Sequence, residues 1–270
     1  MSEPSKPAGR TLDLTVDLSA TPEEVWRMLT EPKLLAQWFA PFVEGTGKVG
    51  EPLLLGWSPD VRWTTVLTVS EPGKRVVFRD ELAAYQEMGS GSGPVMIEWT
   101  MGPIAGGTRL RLVHSGFGDG ASWDEMYDAT QAGWSFFLWH LGETLRRHHG
   151  QRRITLSARR SSTLSREALG ARLLGPEGLD LQPPRKGEAT LEHDGSRRYL
   201  VEHARLPTNL WGRLPDLNDA LLMVEMEPGG DTFHTGIWLS TWGLGPAREQ
   251  ELQAALDRLA DRVFGPVTPA

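Results

Sequence analysis

The sequence predicts an α+β protein in which a curved antiparallel sheet packs on one long closing helix, an arrangement built twice in tandem. Three observations carry that reading. An alternating strand over 109–117 runs at once into an amphipathic helix pattern over 123–148; a row of strand-length segments precedes it; and the same order of elements recurs after Gly150. On a 3.6-residue wheel, Trp123, Met126, Tyr127, Thr130, Trp134, Phe137, Leu138, Leu141 and Leu145 fall within an arc of roughly 120°. That face is built to lie on something apolar, and the segments before it supply a sheet.

The elements follow in order. A tail over 1–10 contains Pro and Gly and has no apolar core. Leu12, Leu14, Val16 and Leu18 then alternate with Asp13, Thr15 and Asp17, a half-buried strand with one wet face. Thr21 caps the next helix, Pro22 takes its first position, and Glu23 and Glu24 complement the positive end of its dipole. The helix breaks near Pro32, and a second short one runs over 33–39. Strands follow on the parity of Leu53, Leu55 and Trp57, of Trp63, Thr65, Leu67 and Val69, and of Val76, Phe78 and Leu82. After a Gly/Ser-rich loop over 83–94, Val95, Ile97, Trp99 and Met101 share one face. Leu110, Leu112 and His114 share the face of the last strand, opposite Arg109, Arg111 and Val113. The composition shifts around Gly150, which divides the chain into 11–150 and 151–270. The second round comprises a strand over 154–159, a helix over 166–174 and a hairpin across Asp194-Gly195. Strands over 220–227 and 232–242 follow, then a closing helix with Leu252, Ala255, Leu256, Leu259 and Val263 on one stripe. It reads as a shorter, degenerate copy of the first.

Bulk properties bound the function. The 270 residues carry 28 basic and 35 acidic side chains, a net charge of −7 that argues against a nucleic-acid partner. The absence of cysteine excludes disulfides, a thiolate nucleophile and thiolate metal sites, and fits a cytoplasmic location. No signal peptide is expected, and no apolar run approaches the roughly 20 residues that span a bilayer.

Four separated motifs occur in matching order: Thr21-Pro-Glu-Glu-Val-Trp26, Leu35-Ala-Gln-Trp-Phe39, His114-Ser-Gly-Phe117 and Gly133-Trp134. Over about 11–150 the chain thereby resembles the SRPBCC superfamily, and within it the homologues of the heat-shock-protein ATPase activator C-terminal domain. The resemblance implies a helix-grip fold, with a cavity between sheet and helix. Relatives of that kind include lipid-transfer domains and polyketide aromatases and cyclases. A shared cavity is not one chemistry, so the function has to be argued from the site.

Aromatic residues dominate the inward positions: Trp57, Trp63, Phe78, Trp99, Trp134 and Phe137, with Trp38, Phe39 and Phe42 near the expected cavity mouth. These either fill an ordinary core or line a pocket. In a pocket, Thr65, His114, Tyr127 and Thr130 are the candidate polar anchors. A ligand burying about 300 Å² of apolar area gains on the order of 7 kcal/mol before the costs of binding. His114 is the one weak candidate for acid–base catalysis, with Asp80 as its orienting partner if their strands are adjacent; otherwise it is a turn residue bonded to backbone near Gly116. No metal or cofactor is expected: His148-His149 sits at a helix end, and His193, His203 and His234 lie on separate strands. No phosphate loop, dinucleotide fingerprint or nucleophile elbow is present. Phe136 and Trp139 leave the apolar arc of the long helix and are expected to form a contact surface, for the second half of the chain or for a homodimer. The expected function is therefore non-enzymatic binding of a small hydrophobic or aromatic molecule. The alternatives are a cyclase-like or hydrolase-like enzyme using His114, and a chaperone-associated module that stimulates a heat-shock ATPase.

Overall fold

The computed structural model describes residues 10–58, 61–81, 94–119, 121–179, 188–191, 197–205, 209–229 and 232–265. It divides into two compact units, Met1–Gly150 and Gln151–Ala270.

The first unit begins with strand β1 (Arg10–Leu18) and helix α1 (Pro22–Thr30). Thr21 closes a reciprocal capping box: its hydroxyl accepts from the Glu24 amide, and the Glu24 carboxylate accepts from the Thr21 amide. Helix α2 is only Pro32–Leu35, so Trp38 and Phe39 fall in the turn after it rather than on the helix itself. Six strands follow: β2 (Phe42–Gly45), β3 (Pro52–Gly56), β4 (Arg62–Glu71), β5 (Arg75–Asp80), β6 (Met96–Ile104) and β7 (Gly107–Phe117). Helix α3 (Ala121–Arg147) closes the unit.

The sheet order is β1-β7-β6-β5-β4-β3-β2, antiparallel throughout. The meander is therefore sealed by its first strand pairing with its last. The outward parity of β1 and β7 carries paired charges, Asp17 with Arg109 and Asp13 with Arg111. The inward parity is apolar, with Leu12, Leu110, Leu112 and Trp99 each no more than 2% exposed. α3 lays Trp134, Leu138, Leu141 and Leu145 into the same core.

The last strand does not end in a turn at Gly116. It carries a bulge there: Arg10 pairs with Phe117 and Thr11 with Ser115, leaving Gly116 unmatched at φ +99°. A Cβ on Gly116 would stand 2.7 Å from the Pro94 carbonyl oxygen. The extra residue brings His114 and Phe117, an odd number of positions apart, onto the same buried side.

The second unit repeats the plan with β8 (Arg153–Ser162), α4 (Arg166–Leu174), β9 (Glu188–Leu191), β10 (Arg197–Arg205), β11 (Asn209–Leu214), β12 (Ala220–Gly229), β13 (Thr232–Trp242) and α5 (Pro246–Phe264). Its sheet order is β8-β13-β12-β11-β10-β9, and again the first strand pairs with the last. Leu252, Leu256, Leu259 and Val263 of α5 join its core. Both units are helix-grip domains, so the fold is a tandem. The Asp194-Gly195 turn and the Gly/Ser loop lie outside the described residues. Among the described residues, no helix is long and apolar enough to cross a membrane.

Phe136 is buried, with its ring centroid 6.0 Å from that of Trp139 and 5.6 Å from that of His140. Trp139 itself is half-buried. Trp38 is not at a mouth. It is 1% exposed, and its indole N–H donates to the Met28 carbonyl at 2.9 Å, which ties the turn after α2 to α1.

Candidate functional site

A row of paired positions crosses the sheet of the first unit: Leu12 of β1, His114 of β7, Ile97 of β6, Phe78 of β5 and Leu67 of β4. Four members are hydrocarbon or aromatic, as strand alternation requires of a core face. His114 is the polar exception and is 2% exposed.

Its partner comes from the helix above. The Trp134 indole Nε1–H donates to His114 Nδ1 at 2.9 Å. Nδ1 is therefore an acceptor, and the neutral ring carries its proton on Nε2. Burial pushes the imidazole pKa from 6.5 down to about 3, because a cation there would lose its hydration without a counter-charge. Nε2 has no acceptor among the described residues. An unanswered buried donor costs about 1–3 kcal/mol, so His114 is held where it is by packing and by Trp134.

Around this pair the rings form a continuous series. Trp134 stacks on Phe39 at 5.2 Å and meets Trp99 edge-on at 5.3 Å. Trp99 in turn meets Trp38 edge-on at 6.2 Å. Phe39 touches Phe137 at 4.7 Å and Trp57 at 5.1 Å, and Trp57 stacks on Trp63 at 4.5 Å. On the other side of His114, Phe117 lies at 4.8 Å and continues to Trp123 and Tyr127. Edge-on and offset contacts of this kind each contribute about 0.5–1.5 kcal/mol beyond area burial. The series also runs down a gradient of exposure. Trp38 and Trp99 are sealed, whereas Trp57, Trp63, Phe137 and Tyr127 are half-buried.

The expected site residues thus separate. Trp38, Trp99 and Phe78 are core. Phe39, Trp57, Trp63, Trp134, Phe137 and His114 are brought together. Thr65 is buried and inward, but its hydroxyl donates to the Arg79 carbonyl at 3.1 Å. The Tyr127 hydroxyl donates to the Thr11 carbonyl at 3.3 Å. Thr130 is half-buried on the helix face shared by Tyr127 and Trp134. Phe42 is 46% exposed on the edge strand β2, beside the Arg62 guanidinium.

Asp80 does not sit beside His114 as an orienting partner. Asp80 lies on β5, and β6 stands between it and β7, so the carboxylate is not on a strand adjacent to His114. His114 is bonded to an indole rather than to a turn backbone, and a base with a pKa near 3 is a weak one at neutral pH. The histidines of the second unit do not converge either. His203 stacks on Trp211, while His234 faces Ser161 with β12 and β11 between the two sites; His193 lies outside the described residues. No group of three metal-ligating side chains is found among the described residues. Sequence reasoning passed over Phe117 as a neighbour of His114. The bulge at Gly116 hid it, and the only signal was the glycine itself.

Residues 19–146 match the family described as "Activator of Hsp90 ATPase homolog 1-like protein", and that span holds all four motifs noted in the sequence. The first unit belongs to this family. With it comes membership of the SRPBCC superfamily, in agreement with the sealed meander and gripping helix of the activator-homologue unit. Solved structures similar to the chain include a protein of Mesorhizobium loti, 26% identical, covering 52% of this chain and 98% of that one at a TM-score of 0.44. The Aha1 dimer of Colwellia psychrerythraea is 19% identical over 50% of this chain and 96% of its own, at a TM-score of 0.44. The di-domain ARO/CYC BexL from the BE-7585A biosynthetic pathway is 15% identical over 94% of this chain and 98% of its own, at a TM-score of 0.45. No curated protein matches the chain.

Proposed function

We propose that the activator-homologue unit binds a small apolar or aromatic molecule without transforming it. The observation that supports this reading is the ring series that leads from half-buried Trp63 and Trp57, through Phe39 and Trp134, to the buried imidazole of His114. Rings that offer a face at one end and a polar group at the other are the ordinary makings of a small-molecule site. His114 answers to no carboxylate on its own or an adjacent strand, which favours binding over acid–base catalysis.

The test is a fluorescence titration of the full chain with 2-ethylnaphthalene, an uncharged hydrocarbon probe. Saturable one-to-one quenching of tryptophan emission is expected. Trp63→Ala should weaken binding roughly 2–12-fold, the loss of one stacked ring, while leaving the melting temperature within a few degrees. Trp99→Ala should instead act chiefly on folding. Unsaturable quenching, or equal loss of binding and folding in both variants, overturns the reading.

A further inference from the structure

The imidazole of His114 has one nitrogen committed and one uncommitted. Nδ1 takes the Trp134 indole proton, which fixes the remaining proton on Nε2. Nε2 is shielded from solvent and finds no acceptor among the described residues. Buried polar atoms are nearly always answered in folded proteins, so an unanswered donor in an otherwise apolar setting asks for a partner from outside the chain. The setting is apolar on each side that the structure defines. Leu12 and Ile97 flank His114 in register, Phe117 lies at 4.8 Å, and Trp134 at 6.1 Å. Two of the other expected anchors are occupied, since the Tyr127 and Thr65 hydroxyls both donate to backbone carbonyls.

We infer that His114 Nε2–H is the polar anchor of the binding site and that its ligand is an uncharged aromatic or apolar molecule carrying a carbonyl-type oxygen acceptor. The inference rests on the binding reading above and narrows it to a ligand class. A donor without charge suits an acceptor without charge. A carboxylate brought among these rings would lose its hydration and meet no cation, because burial keeps the imidazole neutral. Trp134 acts as the positioning residue: by holding Nδ1 as an acceptor it selects the tautomer that can donate from Nε2.

The experiment compares 2-acetylnaphthalene, 2-ethylnaphthalene and 2-naphthoate as probes of the full chain at neutral pH. The acetyl compound should bind roughly 2–12-fold more tightly than the ethyl compound, the net worth of one neutral hydrogen bond, and the naphthoate more weakly than either. His114→Leu should bind both neutral compounds alike. A second measurement needs no variant: in the ¹⁵N-labelled protein, the His114 Nε2 proton resonance should move downfield with the acetyl compound and stay in place with the ethyl compound. Equal affinity for the two neutral compounds, with no movement of that resonance, overturns the anchor and leaves the binding reading standing. Tighter binding of the naphthoate overturns the neutral-ligand class. Saturable binding of neither neutral compound overturns the anchor and the binding reading together.

Discussion

Trp134 and His114 are 20 positions apart in the chain, yet the indole Nε1 of one stands 2.9 Å from the imidazole Nδ1 of the other. The bond ties the long helix to β7, the strand that β1 pairs with. It also decides which imidazole nitrogen is left to donate.

Replacing Trp134 with Phe keeps an aromatic ring against Phe39 but removes the indole donor, together with some packed volume. His114 Nδ1 then becomes a buried acceptor without its indole partner. The expected loss is about 1–3 kcal/mol of unfolding free energy, read as a lower urea midpoint at unchanged slope. Imidazole ¹⁵N shifts should report a mixture of tautomers in place of one.

The pH dependence follows from the lowered His114 pKa. The unfolded chain binds this proton near pH 6.5, and the folded chain only near pH 3. Between those values the unfolded state holds more protons, so stability falls as the pH falls. The slope from this single group approaches about 1.4 kcal/mol per pH unit well inside the window. Urea titrations from pH 7 to pH 4 should show a steeper decline in the wild-type protein than in His114→Leu. Parallel curves would mean that the imidazole is not sealed from water.

Gly116→Ala should be among the costlier single-methyl changes in the first unit. The residue sits at φ +99°, and its new Cβ would meet the Pro94 carbonyl oxygen at 2.7 Å and the Val95 Cα at 2.9 Å. A loss of about 1–3 kcal/mol is expected, with an altered near-ultraviolet dichroism as the Phe117 and His114 rings shift. An unchanged melting temperature would refute the bulge.

In the second unit, Arg160 has a side chain only 6% exposed and reaches Asp261 at 2.8 Å and Asp257 at 3.3 Å, which fastens α5 to β8. Asp261→Asn should cost about 1.5–3 kcal/mol, since it weakens a charge-assisted bond to a buried guanidinium. Asp17→Asn, at the exposed pair with Arg109, should cost nothing measurable. Thermal melts of the two variants make the comparison directly.

Much of this was legible before any coordinates. Thr21 and Glu24 announce the capping box. The inward set Leu110, Leu112 and His114 follows from period-2 alternation, and Trp134 and Phe137 from the helical wheel. What alternation cannot register is an inserted residue: strict parity would set Phe117 on the face opposite His114, and the bulge at Gly116 brings it to the same side. Short elements were lost for a different reason. β2 is four residues with Phe42 and Glu44 exposed, too brief for a pattern, and β11 is hemmed by Pro207 and Pro215. Burial of Trp38 depends on the length of α2, and boundaries are what sequence patterns fix least well.

The pairing of first strand with last in each unit has a consequence for biosynthesis. Asp13 waits for Arg111, 98 residues further on, before its strand has a neighbour. Such long-range closure slows assembly and leaves the early strand open to wrong partners in the meantime. Since every strand of the first sheet precedes residue 150, that sheet can be complete while the second is still emerging from the ribosome. The tandem thereby splits one slow and hazardous search into two shorter ones, taken in turn.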